Sequence, residues 1–257
     1  MSDNEASGTF WEHLDVLRGV LLRSLCVIAL LSVVAFCFKE TLFSVVLAPR
    51  NSDFVTFRLL GVEAFSVSLM NTGLTEQFMI HMKTAAYAGL LFASPYVIYE
   101  LFRFVSPALY AVERRRTILV MVASCGMFLL GTLVNYFLVF PLTVRFLGTY
   151  QVVPDVMNML TLQSYMDTLL GMSLVLGVVF ELPVICWLLA RFGILDGAQM
   201  QQYRRHAVVA ILAVAAIITP TTDAFTMVIV ALPIWLLYEI SILIVKNQYR
   251  RPANLNK

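Results

Sequence analysis

The chain has 257 residues, 60% of them hydrophobic and 13% charged, with a mean hydropathy of +0.83. Soluble domains carry roughly 25% charged residues, so these side chains could not cover a soluble fold of this length, and an all-α integral membrane protein is expected. A net charge of +2 is too small to suggest nucleic acid as a partner, and Cys26, Cys37, Cys125 and Cys186 lie in apolar stretches at spacings that match no metal motif, which reads as buried thiols between helices.

The first residues, MSDNEASGTFWEHLDVLRG, begin acidic and lack the basic start and small-residue cleavage site of a signal peptide. Phe10, Leu14, Leu17 and Leu21 recur at helical spacing with Glu12, Asp15 and Arg18 on other faces. This pattern predicts a helix over about 10–20, lying on the membrane surface before the first span. A bilayer core of about 30 Å needs about 20 mostly apolar residues per helix. That requirement places spans at about 21–38, 79–99, 117–140 and 168–190, with a partly apolar segment at about 39–77 forming short helices outside. Two further spans, 207–219 and 226–245, read as a short helical hairpin turned by TPTTD at Thr219–Asp223. Pro95, Pro141, Pro183 and Pro233 fall within or at the ends of spans, where each frees a carbonyl and bends its helix. Residues 1–257 are thus expected to form a single transmembrane domain.

Charge supplies the orientation. With both termini in the cytoplasm, thirteen of the 18 Lys and Arg residues fall inside and five outside, as the positive-inside rule requires. The largest basic group is Arg114, Arg115 and Arg116, which follows Glu113 in the loop between the second and third spans.

Glu181, in VVFELPV, lies well inside the fourth span. Carboxylates at such depth usually face a bundle interior or a water-filled cavity; this one is either a protonated side chain bonded to a neighbouring helix or a hydrated, proton-linked position. Glu113 could pair with Arg116 or Arg114 on its own helix, or receive a cationic ligand. Asp15 and Glu12 could add acids to the same cytoplasmic face. Glu100 (IYEL) and Glu239 (LYEI) read as interfacial anchors beside tyrosine, and Asp223 as a capping residue in the hairpin turn. His13, His81 and His206 are widely separated, and HExxH, GxSxG and P-loop patterns are absent, so no enzyme activity and no cofactor is expected. A proton- or ion-coupled small-solute transporter using Glu181 is the alternative.

The order of motifs resembles the TatC family, the multi-spanning core subunit of the twin-arginine protein translocase. The resemblance rests on HLDVLR (13–18), AP (48–49), TEQF (75–78) and SPYVIYELFRFVSPALYAVERR (94–115), then NYFLVFPL (135–142), GVVFELPV (177–184), TPTTDAF (219–225) and LYEIS (237–241). It implies six helices in a concave bundle in the cytoplasmic (inner) membrane, the last two helices short and both termini cytoplasmic. It also implies recognition of signal peptides bearing an Arg-Arg pair, and export of folded proteins by the protonmotive force. The partners implied are single-span TatA- and TatB-type subunits, further copies of the chain in a larger complex, and membrane lipid. Glu113 matches the family's signal-contacting glutamate of the first cytoplasmic loop. Phe104, Pro107, Leu109 and Tyr110 match the loop framework that holds it, Glu181 the intramembrane glutamate facing the cavity, Pro49 the proline after the first span, and Asp223 the acid of the external turn. Two positions depart. Val16 stands where the family usually has a second signal-contacting glutamate, so Asp15 or Glu12 takes over or Glu113 works with less help. Met227 stands where the family often has glutamine, at a position that meets partner helices.

Overall fold

The computed structural model describes residues 3–51, 53–59, 61, 68–109, 114–150, 159–219 and 223–250. It is almost wholly helical. In chain order come α1 (Asp3–Cys37), α2 (Lys39–Val46), a 3-10 turn (Ala48–Arg50), α3 (Val55–Leu59) and β1 (Leu69–Met70). There follow α4 (Glu76–Leu109), α5 (Arg114–Val134), a π-turn (Asn135–Val139), α6 (Phe140–Thr149) and β2 (Leu160–Thr161). The chain then continues through α7 (Leu162–Val179), α8 (Leu182–Arg191), α9 (Gly197–Gln202), α10 (Arg204–Ile218) and α11 (Ala224–Arg250). Among the described residues, five stretches are long and apolar enough to cross a bilayer: Leu14–Cys37, Glu76–Phe104, Ile118–Thr149, Leu162–Arg191 and Ala224–Asn247. The segment expected as a fifth span is helical, as α10, but its 15 residues leave it shorter than these.

Several boundaries differ from the sequence reading. Residues 10–20 are helical, but as the N-terminal part of α1 rather than as a separate helix; α1 runs unbroken for 35 residues because no proline or turn signal interrupts it. The loop expected after the second span is shorter, since α4 carries Phe104, Pro107 and Leu109 in its last turns. Cys26 and Cys37 are exposed on α1, and Cys125 and Cys186 only half-buried. Helical periodicity gives α1 a narrow buried face through Val20 and Ser24, which leaves its other apolar faces open.

The chain divides into two compact units, residues 1–45 with 78–126, and residues 46–77 with 127–257. In the first, α1 and α4 run antiparallel and are fixed at three levels. Arg23 meets Glu100 at one level, and at the next Gly89 lies so close to Ser32 that a Cβ there would fall 2.6 Å from the Ser32 backbone nitrogen. At the third, the rings of Phe36 and His81 stack with centroids 3.9 Å apart. Phe43 of α2 adds an edge-on contact to His81.

The second unit is organised around two interrupted helices. At the π-turn the Phe140 N–H reaches back to the Asn135 carbonyl, and Pro141, next in the chain, has no N–H to offer. The Phe137 carbonyl accepts the Thr56 hydroxyl instead, and Phe54, Tyr136 and Phe137 pack their rings around that contact. The second interruption is at Phe180–Glu181, between α7 and α8, where Pro183 enters the first turn of α8. Helices α5 and α7 approach closely. A Cβ on Gly131 would lie 2.6 Å from the Leu176 carbonyl oxygen, and buried Asn135 donates to Ser173 Oγ at 2.7 Å one turn away. The core of this unit joins Val139, Met172, Leu176 and Phe180 to Ile211 and Ala215 of α10 and to Val230, Ala231, Ile234 and Leu237 of α11. So α10 and α11 pack against each other, while residues 220–222 of the expected turn lie outside the described residues.

Glu76 ties the start of α4 to the start of α7. Its Oε2 accepts Thr72 N at 2.9 Å, Gly73 N at 2.8 Å and Thr72 Oγ1 at 3.1 Å, while Oε1 accepts Gln163 N at 2.9 Å. The short parallel pairing of Leu69–Met70 with Leu160–Thr161 joins the same two segments just upstream. At the far end of α8, Gly193 adopts φ +73°, and the bonds Gly193 N to Ala190 O and Ile194 N to Leu189 O close the helix in the double turn that favours glycine.

Candidate functional site

The expected acids whose side chains are described, Asp15, Glu181 and Asp223, fall in three places. Asp15 is exposed on α1, and Val16 beside it is 51% exposed. One residue is about 100° of helical rotation, so the two point in different directions. The backbone of Glu12 belongs to the same helix, but its side chain lies outside the described residues, as do those of Pro107 and Leu109. Glu113 and Tyr110 also lie outside the described residues. Phe104 is half-buried in the last turns of α4.

Glu181 occupies the break between α7 and α8. Its N–H bonds to the Val178 carbonyl at 3.1 Å, a tightened turn, while its own carbonyl accepts Ile185 N at 2.9 Å and so starts α8. Pro183 cannot serve the Val179 carbonyl, four residues back, and the ladder is interrupted where the half-buried carboxylate sits. Irregular backbone inside an apolar span is tolerated where protein or a watered cavity satisfies it. A carboxylate at that point is therefore placed beside polar backbone rather than in a continuous apolar wall.

Asp223 caps α11: its Oδ1 accepts Thr226 N at 2.7 Å and its carbonyl accepts Met227 N at 3.2 Å. Met227 is half-buried against the core of the second unit. Pro49 is buried in the 3-10 turn, which packs against α6.

The reading of Glu100 as an interfacial anchor missed its role. Glu100 is buried, 2% exposed, with Oε2 2.9 Å from Arg23 Nη2 and Oε1 receiving the Tyr96 hydroxyl at 3.1 Å; Arg103 Nη1 stands 3.9 Å from Oε1. The signal was present as Tyr96 and Glu100 at i,i+4 and as Arg23, a basic residue inside an apolar run, but nothing in the spacing showed that they meet. Glu239 is likewise more than an anchor, since it pairs with Arg204 and joins α10 to α11. Among the described residues there is no cluster of His, Cys, Asp or Glu able to hold a metal ion.

Together the long apolar helices, their proline interruptions and the carboxylate at one interruption define a multi-pass membrane protein. A profile of the family described as Sec-independent protein translocase protein (TatC) matches residues 12–233. The chain belongs to the TatC family. It is 35% identical over 248 residues to the Sec-independent protein translocase protein TatC of Desulforapulum autotrophicum, covering 95% of this chain and 86% of that one. It is 32% identical to the protein of the same name from Deinococcus radiodurans, covering 98% and 93%. A crystal structure described as twin arginine translocase receptor TatC superposes with a TM-score of 0.75 at 31% identity, covering 91% of this chain and 97% of that one. A second such structure, in DDM, gives 0.77 at the same identity, covering 91% and 99%. These relatives favour protein translocation over the small-solute transporter reading of Glu181.

Proposed function

We propose that the chain is the signal-peptide receptor and core subunit of a twin-arginine translocase, which exports folded proteins across the cytoplasmic membrane using the protonmotive force. The observation that carries this reading is the family match over residues 12–233, which contains the segment FVSPALYAVERR with Glu113 in place. Glu113 serves as the acceptor for a signal arginine, with Asp15 or Glu12 as the second acid in the absence of a glutamate at position 16. Phe104, Pro107 and Tyr110 hold the loop, and Arg114–Arg116 keep it on the cytoplasmic side. The chain crosses the membrane six times, α10 included, with both termini inside. Single-span TatA- and TatB-type subunits meet the α10–α11 hairpin near Met227, and several copies of the chain assemble in the complex.

A charge-assisted hydrogen bond contributes about 1.5–3 kcal/mol, so loss of one acceptor should weaken binding roughly tenfold or more. The test is titration of a fluorescent signal peptide onto the purified protein, in its Arg-Arg and Lys-Lys forms. The expected outcome is a clear preference for Arg-Arg that disappears in Glu113→Gln. Equal binding of both forms by the unmodified protein, with partner subunits present, would defeat the receptor reading.

A further inference from the structure

We propose that Glu100, through Arg23, is a positioning residue for signal recognition, a proposal that rests on the receptor reading above. The contacts between α1 and α4 run in opposite senses along the two helices, Phe36 with His81, Ser32 with Gly89 and Arg23 with Glu100. Of these three contacts, Arg23–Glu100 lies nearest the end where α1 carries Asp15 and α4 carries Phe104. Asp15 is eight residues from Arg23, about 12 Å along the helix, and Phe104 is one turn, about 6 Å, from Glu100. Both segments that present recognition groups extend from this one pair.

The chemistry suits a fixed register. The Glu100 side chain is 3% exposed while that of Arg23 is 49% exposed, so a desolvated carboxylate is held by a guanidinium that reaches it from the neighbouring helix. The Tyr96 hydroxyl occupies the other carboxylate oxygen. A buried carboxylate retains its single geometry only while its cation stays, because the uncompensated charge is costly in such surroundings. Sliding or rotating α1 against α4 would break that pair, so it sets the separation between Asp15 on α1 and Phe104 near the end of α4.

The same two peptides, titrated onto the full chain in lipid nanodiscs, test this, with thermal unfolding measured alongside. Glu100→Gln keeps the shape and removes the charge; Arg23→Gln alters a half-exposed partner and keeps the test informative if the first variant unfolds. Both should weaken Arg-Arg binding roughly tenfold, the scale of coupled pairs, and leave the weak Lys-Lys binding unchanged. The reversed pair Arg23→Glu with Glu100→Arg should recover most of the loss. Tighter binding in Arg23→Gln would overturn the proposal, since Glu100 would then be a direct acceptor that Arg23 covers. Equal losses for both peptides, unaltered Arg-Arg binding in Glu100→Gln, or a folded reversed pair without recovery would also overturn it. Absence of Arg-Arg preference in the unmodified protein, with partner subunits present, would instead defeat the receptor reading, and this proposal with it.

Discussion

Each proline inside a long apolar helix leaves a carbonyl without its N–H, and the second partner of that carbonyl is a matter of single residues. At Pro95 the answer is local, because the Ser94 hydroxyl donates to the Leu91 carbonyl at 2.7 Å. At Pro141 the answer comes from far along the chain, with the buried Thr56 hydroxyl donating to the Phe137 carbonyl. Removing one partner of a buried hydrogen bond costs about 1–3 kcal/mol, so Thr56→Val should lower stability on that scale. Pro141→Ala restores an N–H to the turn, and in that background Thr56→Val should cost much less. Unfolding of the four proteins in detergent measures the coupling, and strictly additive costs would show that Thr56 and Pro141 do not act on the same carbonyl.

At the scale of the helix, small residues set how closely elements approach. A Cβ on Gly131 would meet the Leu176 carbonyl oxygen at 2.6 Å and the Gly177 Cα at 2.9 Å, both backbone atoms that cannot swing aside. Gly126, on the same helix, has nothing within 4 Å of such an atom. Overpacking costs about 1–3 kcal/mol, whereas alanine gains up to about 1 kcal/mol over glycine in a helix. Gly131→Ala should therefore destabilise the protein and Gly126→Ala should leave it unchanged or firmer, as read by unfolding midpoints; similar midpoints for the two variants would rule out the close approach. This contrast also shows what the sequence could convey. Apolar runs near 21–38, 79–99 and 168–190 located helices because hydropathy is a local property. It was silent on which glycines are contacts, on the π-turn at Asn135–Val139, and on the meeting of Arg23 with Glu100, because those depend on partners many residues away. Glu181 was legible as an unusual intramembrane acid, but its place at a helix break required the bond pattern around Pro183. The continuation of α1 through residues 10–20 was missed because amphipathic spacing there fits a surface helix and an extended span equally well.

At the scale of the whole molecule, the open count is whether α10 crosses the membrane. Its 15 residues span about 22 Å, less than a bilayer core of about 30 Å. A crossing helix of that length requires local thinning or flanking groups that reach the interface. Arg204 and Arg205 at its start supply such groups at one end, and the former is bound to Glu239 of α11. The packing of α10 against α11 also favours crossing. If α10 returned to the side it came from, α11 would have to cross from that side, and the basic residues at its end, Lys246 and Arg250, would lie opposite Arg114–Arg116, against the positive-inside rule. Single cysteines at Gln202 and Ala224, both exposed positions bracketing α10, settle it in a chain whose four native cysteines are replaced. A membrane-impermeant maleimide added to intact cells should label Ala224→Cys and leave Gln202→Cys untouched until the membrane is opened. Matching reactivity at the two positions would make α10 a re-entrant segment and reduce the count to five.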